Sequence, residues 1–153
     1  ARVYSGGLVV VAADDPSMHS SQNEQDSRFY AKFAMIPCFE PTNQQEAYEM
    51  TKEAFRLSEE LRTPILLRVT TRMAHSRAVV ETTDNTPVQN KMSLPENVQH
   101  FILLPAFAKK NYAELVAAQP TSPFTPVIAA FINASAHTFI PTCFIQTSAR
   151  LPI

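Results

Sequence analysis

The sequence is poor in glycine. Only two of its 153 residues are glycines, Gly6 and Gly7, and both precede the first predicted strand. A loop that holds a phosphate group through backbone N–H groups needs glycine at the strand-to-helix turn, where chain and ligand come close. No glycine follows Gly7. We therefore expect that this chain alone binds neither a nucleotide nor a diphosphate.

Paired cysteines, one-sided charge and long apolar runs are also missing. Cys38 and Cys143 stand far apart without CxxC spacing, which predicts neither a metal site nor a disulfide framework. The 13 basic and 14 acidic residues are interspersed, which argues against a nucleic-acid partner. No apolar stretch is long enough to span a bilayer, and no charged segment precedes one as in a signal peptide. These features predict a cytoplasmic protein that associates with no membrane.

What the sequence does contain is an apolar strand that leads into a dense polar loop. Residues 8–13 are rich in β-branched valine without polar alternation, which predicts a strand covered on both faces of a parallel sheet. The polar loop 17–26 follows. Ser21 and Glu24 fit a capping box, so we expect a helix to begin there, with three aromatic residues on its buried side: Phe29, Tyr30 and Phe33. In open α/β sheets, ligands bind at such loops; the alternative is an ordinary polar surface loop.

The downstream pattern completes an α/β fold. Residues 36–40 and 65–70 read as strands, and residues 106–119 as a helix that follows a polar linker. A second capping box at Thr42 opens a helix over residues 43–61. Its apolar positions recur at three- and four-residue steps and form one stripe: Ala47, Met50, Ala54, Leu57 and Leu61. We predict a parallel sheet flanked by helices.

Candidate site residues follow two strands that we expect to be neighbours. Arg68 lies inside the second buried strand and needs an acidic partner, for which Asp14 or Asp15 at the end of the first strand is favoured. The right-handed crossover rule makes the two strands parallel, so their carboxyl ends share one edge. Five polar residues gather at this edge: His19, Gln22, Asn23, Arg72 and His75. Together with Ser20 and Ser21 they are the candidate residues beside a cofactor or substrate. The loop residues 19–23 suit the orientation of a bound cofactor or substrate by fixed dipoles, and we assign no residue a catalytic role.

Two other chemistries are less favoured at this loop. A metal site of Asp14, Asp15 and His19 would need ligands that are close in sequence, with a proline between them, to converge on one ion. Nucleophilic attack by Ser20 or Ser21 beside the histidine lacks the Gly-x-Ser-x-Gly elbow and an oxyanion site. We expect no metal at these residues.

Three stretches resemble a known family of thiamine diphosphate enzymes. They are GGLVVV with ADDPSMHSSQNEQDSR, then ELRTPILLRVTTRMAHSR, then FILLPAFAKK. They resemble the pyrimidine-side domain of the α subunit in indolepyruvate:ferredoxin oxidoreductases, within the 2-oxoacid:ferredoxin oxidoreductase family. The resemblance is specific over residues 6–80, weaker to about residue 118, and absent beyond it.

The resemblance implies a partial thiamine fold and a composite enzyme. Family members use thiamine diphosphate with magnesium to decarboxylate an arylpyruvate oxidatively. Electrons pass through 4Fe–4S clusters to ferredoxin, and coenzyme A takes the acyl group. The expected partners are the remainder of the α subunit and a β subunit. The glutamate that contacts the pyrimidine, the GDG motif and the cluster cysteines have no counterpart here, so we expect the chain alone to be inactive and to bind no cofactor.

The expected organisation is three segments. Residues 1–80 form part of the pyrimidine-side domain, residues 81–119 a linker and helix toward a missing second domain, and residues 120–153 an atypical tail. The tail has five prolines but no Asp, Glu or Lys, which indicates a non-native sequence or a short apolar segment that packs on the core. Two alternatives remain open for the whole. In the first, the chain is an inactive truncated product or a non-catalytic module of a split enzyme. In the second, the chain belongs to an enzyme that carries out the same chemistry on pyruvate or another 2-oxo acid.

Overall fold

The computed structural model describes residues 3–84, 90–91 and 93–118. Their elements, in chain order, are β1 (Val9–Asp14), α1 (Arg28–Ala34), β2 (Cys38–Phe39), α2 (Gln44–Leu61), β3 (Ile65–Thr70), α3 (Thr71–His75), a 3₁₀ helix (Val98–Phe101) and α4 (Pro105–Ala118). The helix predicted over residues 106–119 is thus present as α4. The predicted tail at 120–153 lies outside the described residues.

The three described strands form one parallel sheet in the order β1-β3-β2. Val9 lies opposite Ile65 and Asp14 opposite Thr70, so β1 and β3 end together. The first four residues of β3, Ile65 to Arg68, are buried. A central parallel strand reads as a continuous buried run because both of its faces are covered. The predicted α/β class and the parallel pairing of the two strands are confirmed.

Helix α2 covers this sheet and begins at a well-formed cap. The Asn43 side chain accepts the N–H of Glu46 at 2.9 Å, and the Glu46 carboxylate accepts the N–H of Thr42 at 2.8 Å. The capping residue is therefore Asn43, one position later than predicted, because it is Asn43 whose side chain reaches the N–H three residues on. Ala54 and Leu57 on the apolar stripe are buried, and α2 contacts both β3 and β1.

Residues 7–8 pack closely against α2 through Gly7 and the buried Ser58. A Cβ at residue 7 would lie 2.6 Å from the carbonyl oxygen of Phe55, so a larger residue would collide with the helix backbone. The Ser58 hydroxyl accepts the N–H of Leu8 at 2.8 Å and lies 2.8 Å from the Thr63 carbonyl oxygen, to which it donates. The glycine next to β1 thus serves close packing.

Strand β1 is more exposed than the sequence predicted. Val10 and Val11 are both exposed, Val11 by 62%. The prediction of a strand covered on both faces is wrong for the described chain. A strand at the edge of a sheet is less covered than a central one, and the described residues place only β3 beside β1.

Helix α1 begins later than the sequence predicted. It starts at Arg28 after Ser27, and Ser21 caps no helix. Ala31 is its buried residue, while the three aromatic residues predicted to be buried are exposed, namely Phe29, Tyr30 and Phe33. The predicted cap fails because the Ser21 N–H donates to Asp15, which keeps the chain in a loop at that point.

Strand β2 is shorter than the range 36–40 predicted for it, and it lies at the second edge of the described sheet, as Pro37 indicated. Among the described residues, no helix has the length and apolar character needed to cross a bilayer.

Candidate functional site

Two buried aspartates at the end of β1 organise the carboxyl edge of the sheet. Asp14 is 6% exposed and Asp15 is 4% exposed. A buried carboxylate must be paired or hydrogen-bonded because water no longer solvates it. The two aspartates satisfy this need with different segments of the chain, and together they fix the loop that carries most of the predicted site residues.

Asp14 pairs with Arg68 and fixes the start of α1. Its Oδ2 atom lies 2.5 Å from Nε of Arg68, which is 3% exposed and also contacts the Glu40 carboxylate. The same oxygen accepts the N–H of Ser27 at 2.7 Å and its hydroxyl at 2.8 Å. The predicted partner of Arg68 is thereby confirmed as Asp14 rather than Asp15. Burial acts to raise the pKa of Asp14, but the Ser27 N–H and Arg68 outweigh it and hold that pKa below the usual value.

The Asp15 carboxylate accepts hydrogen bonds from the backbone of the polar loop. Oδ2 accepts the N–H groups of Ser20 and Ser21, both at 2.6 Å, and Oδ1 accepts that of His19 at 3.2 Å. The hydroxyl of Thr71, the first residue of α3, lies 2.6 Å from Oδ1 and donates to it. The Thr71 hydroxyl and the Ser20 N–H hold the pKa of Asp15 well below its usual range. A single carboxylate thus links the loop to the end of β3.

The loop turns its backbone donors toward the protein. Ser17 and Met18 have positive φ angles of 67° and 52°, which place a tight turn directly after Pro16. The Ser17 N–H donates to Glu24, and the Met18 N–H donates to the Asp15 carbonyl oxygen at 3.2 Å. Asp15 accepts the N–H groups of residues 19–21. Together, these contacts occupy every backbone N–H group of residues 17–21. The loop backbone therefore has no free N–H cradle for a phosphate group in this stretch.

The predicted site residues lie at this edge, and most of them point to solvent. The loop holds His19, Ser20, Gln22 and Asn23 exposed and Ser21 half-buried, while α3 holds Arg72 and His75 exposed. The Asp15–Thr71 contact brings the loop and α3 together. Among residues 3–84, no hydrogen bond or ion pair joins Arg72 or His75 to the loop side chains. The edge therefore exposes imidazole, amide and guanidinium groups.

Sequence reasoning missed the two residues that build this edge, Asp15 and Thr71. Asp15 entered only as a possible partner of Arg68 and as a less favoured metal ligand. The available signal was an aspartate followed by proline and a serine-rich loop, a pattern in which the carboxylate accepts nearby backbone N–H groups. Thr71 adjoins the carboxyl end of the neighbouring parallel strand, which places its hydroxyl within reach.

The less favoured metal site would have to use carboxylates that already have partners. Asp14 is bound by Arg68 and Ser27, and Asp15 by Thr71 and the loop N–H groups. Within the part of the chain that the structure describes, no three His, Cys, Asp or Glu side chains are grouped so as to hold a metal ion. The aspartates act as acceptors for the protein's own donors.

Acid should destabilise the chain because Asp14, Asp15 and Asp26 all have lowered pKa values; at Asp26 the main cause is the Arg28 side chain. Unfolded aspartates titrate near about pH 3.9. A group whose pKa is lower in the folded state contributes stability above its unfolded pKa and loses it as the pH falls through its folded pKa. We expect a nearly constant free energy of unfolding between about pH 5 and 7 and a decline below about pH 4.

Urea unfolding followed by circular dichroism at a series of pH values measures this decline. An Asp15→Asn variant is the matched control, because it lacks one of the three groups and should lose less stability on acidification. A free energy of unfolding that stays constant down to about pH 3 would contradict the stabilising role of these carboxylates.

Comparison with known proteins places the chain in a family. The family model described as "Pyruvate flavodoxin/ferredoxin oxidoreductase, thiamine diP-bdg" matches residues 9–137. The chain belongs to this family. Its parallel sheet flanked by helices is consistent with a pyrimidine-type thiamine diphosphate domain. The match extends past residue 118, so the prediction that the resemblance is absent from there onward is wrong.

Curated relatives in this family are subunits of larger enzymes. Indolepyruvate oxidoreductase subunit IorA of Methanothermobacter marburgensis is 50% identical over 116 residues, which cover 74% of this chain and 19% of that protein. The subunit of the same name from Thermococcus kodakarensis is 59% identical over 75 residues, or 49% of this chain and 12% of that protein. That of Pyrococcus abyssi is 44% identical over 118 residues, or 73% and 18%. The chain thus spans less than a fifth of these relatives. No solved structure was found to match it.

Proposed function

We propose that this chain supplies one wall of a composite active site in a thiamine diphosphate-dependent 2-oxo acid:ferredoxin oxidoreductase that acts on indolepyruvate. The observation that carries this proposal is the loop at the carboxyl edge of the sheet. Its backbone is held inward by Asp15, while the side chains of His19, Gln22 and Asn23 are exposed at that edge. Membership of the family and the names of the relatives supply the reaction class.

The described residues do not fit the diphosphate end of the cofactor. Its phosphates would need free backbone N–H groups and its magnesium ion hard oxygen ligands. The loop N–H groups at residues 19–21 are occupied by Asp15, and both of the chain's glycines precede β1. The proposal therefore assigns the diphosphate and magnesium to the remainder of the α subunit or to a β subunit. It also assigns the 4Fe–4S clusters and the sites for ferredoxin and coenzyme A to the rest of the assembly.

The side chains at this edge suit the oxo-acid end of the substrate. A 2-oxo acid carries a carboxylate and a keto oxygen, which accept hydrogen bonds. The Asn23 and Gln22 amides and the His19 imidazole can donate to these oxygens, and Arg72 adds a positive charge at the end of β3. Fixed donors of this kind stabilise negative charge as it develops on an oxygen. The wall therefore orients the reacting group, while the aryl part of the substrate is left to other parts of the enzyme.

Alanine at His19 or Asn23 tests the proposal in a full-length relative that carries the same loop. Each substitution should lower the rate of oxidative decarboxylation by roughly tenfold to a thousandfold, the usual range for loss of one positioned donor. Folding should change little, because these exposed side chains form few packing contacts. Steady-state turnover with indolepyruvate and thermal unfolding of each variant measure the two effects.

A matched control is His100→Ala, which removes an imidazole from the 3₁₀ helix rather than from the loop. It should retain turnover. Indolepyruvate and phenylpyruvate should show the same fold-loss in the loop variants, because the proposed donors contact the part that both substrates share. Unchanged turnover in both loop variants would contradict the proposal and favour the alternative that the loop is an ordinary polar surface loop.

A further inference from the structure

We infer that Asp15 is a positioning residue for the proposed active site, with Thr71 as its fixed partner. This inference rests on the proposed function, because it assigns to Asp15 the placement of the side chains that would contact the 2-oxo acid. Asp15 itself is buried and touches no substrate in this assignment. It acts through the loop that it holds.

The two oxygens of the Asp15 carboxylate join the loop to the start of α3. Oδ2 accepts two N–H groups at 2.6 Å, from Ser20 and Ser21, directly beside His19. Oδ1 accepts the hydroxyl of Thr71 at 2.6 Å, directly beside Arg72, and also the N–H of His19 at 3.2 Å. The carboxylate therefore sets the distance between the loop donors and the cation that follows β3. Displacement of a catalytic group by about 1 Å costs on the order of a hundredfold in rate, so this distance matters for turnover.

The negative charge of Asp15 is essential to the arrangement. Its lowered pKa keeps it ionised at neutral pH, so both oxygens accept and neither donates. An asparagine has the same shape but presents an NH₂ group in place of one oxygen. That group cannot accept an N–H, so in Asp15→Asn one of two losses occurs. Either the Ser20 and Ser21 N–H groups lose their acceptor, or the His19 N–H does, while the Thr71 hydroxyl donates to the Asp14 carbonyl oxygen at 3.0 Å instead. The loop then moves relative to α3 without a change in side-chain volume.

The kinetic test uses Asp15→Asn, Thr71→Val and Thr71→Ser in the assembled full-length relative. Asp15→Asn and Thr71→Val should lower kcat/KM for indolepyruvate by about tenfold to a hundredfold and raise KM. Thr71→Ser keeps the hydroxyl and should stay within about threefold of the parent. A purely structural defect would reduce the amount of active enzyme, which lowers the apparent kcat and leaves KM unchanged. Wild-type KM and kcat/KM in Asp15→Asn would overturn the inference.

A double variant shows whether Asp15 acts through the loop. Asp15→Asn combined with His19→Ala should be little slower than the slower of the two single variants, because the imidazole is misplaced before it is removed. Multiplicative losses would show independent action and overturn the inference. Unchanged turnover in His19→Ala and Asn23→Ala would overturn the proposed function and this inference with it, whereas unchanged turnover in Asp15→Asn alone overturns only the inference.

Amide hydrogen exchange gives a readout that does not depend on activity. In Asp15→Ala, which removes both carboxylate oxygens, the Ser20 and Ser21 amides should exchange at least about tenfold faster, because they lose a buried acceptor. The Ser27 amide is an internal control, since it donates to Asp14 and should keep its exchange rate. Equal exchange rates at Ser20 and Ser21 in parent and variant would show that the carboxylate does not hold the loop.

Discussion

Replacing Arg68 by methionine should destabilise the chain by about 3–5 kcal/mol, the cost of removing one partner from a buried ion pair. Arg68 is the buried cation between Asp14 and Glu40. Methionine fills much of the same volume but leaves the Asp14 carboxylate without its counter-charge. The lost stability comes mainly from that uncompensated buried charge. Urea unfolding at pH 7, followed by circular dichroism, measures the change.

Arg56→Met is the matched control, because Arg56 also pairs with two carboxylates, those of Glu53 and Glu60. Its side chain is 55% exposed, so the loss there should be about 1 kcal/mol or less. Combining Arg68→Met with Asp14→Asn should recover part of the stability, because the second change removes the unpaired charge. Equal losses at Arg68 and Arg56 would contradict the structural importance of the buried pair.

An aspartate at Leu57 should cost on the order of several kcal/mol, because it places an unpaired charge where α2 packs on the sheet. Leu57 is 1% exposed and lies on the buried stripe of the helix. Leu57→Ala is the milder variant and should cost about 2–5 kcal/mol through loss of packing alone. It keeps the test informative if the aspartate variant fails to fold.

Phe55→Asp provides the control for the charge itself. It introduces the same carboxylate into the same helix, but Phe55 is already 48% exposed, so the new charge remains hydrated. The loss should be clearly smaller than at Leu57. Thermal and urea unfolding of the three variants decide the comparison, and similar losses at Leu57 and Phe55 would mean that α2 does not present the stripe assigned to it.

The residue pattern alone was sufficient to predict the helix and the strand whose stability depends on burial of apolar side chains. The apolar stripe of α2 predicted both the helix and its buried side, and the apolar run before Arg68 predicted β3. The crossover rule predicted the parallel pairing of β3 with β1. The residue pattern also predicted a carboxylate partner for Arg68, since a buried guanidinium needs one. The candidate site residues lie in the loop after β1 and in α3 after β3. Their role in binding a 2-oxo acid stays a proposal.

Tertiary structure decided how the loop is built and where α1 begins. The sequence offered Ser21 as a helix cap, but its N–H donates to Asp15, and Ser27 donates to Asp14 instead. Local sequence cannot rank these acceptors, because Thr71, which completes the Asp15 site, comes from the end of another strand. The exposure of β1 likewise depends on which strands lie beside it. The spacing of apolar residues within one segment predicts which of them are buried. The choice of hydrogen-bond partner depends instead on which acceptors the folded sheet brings within reach.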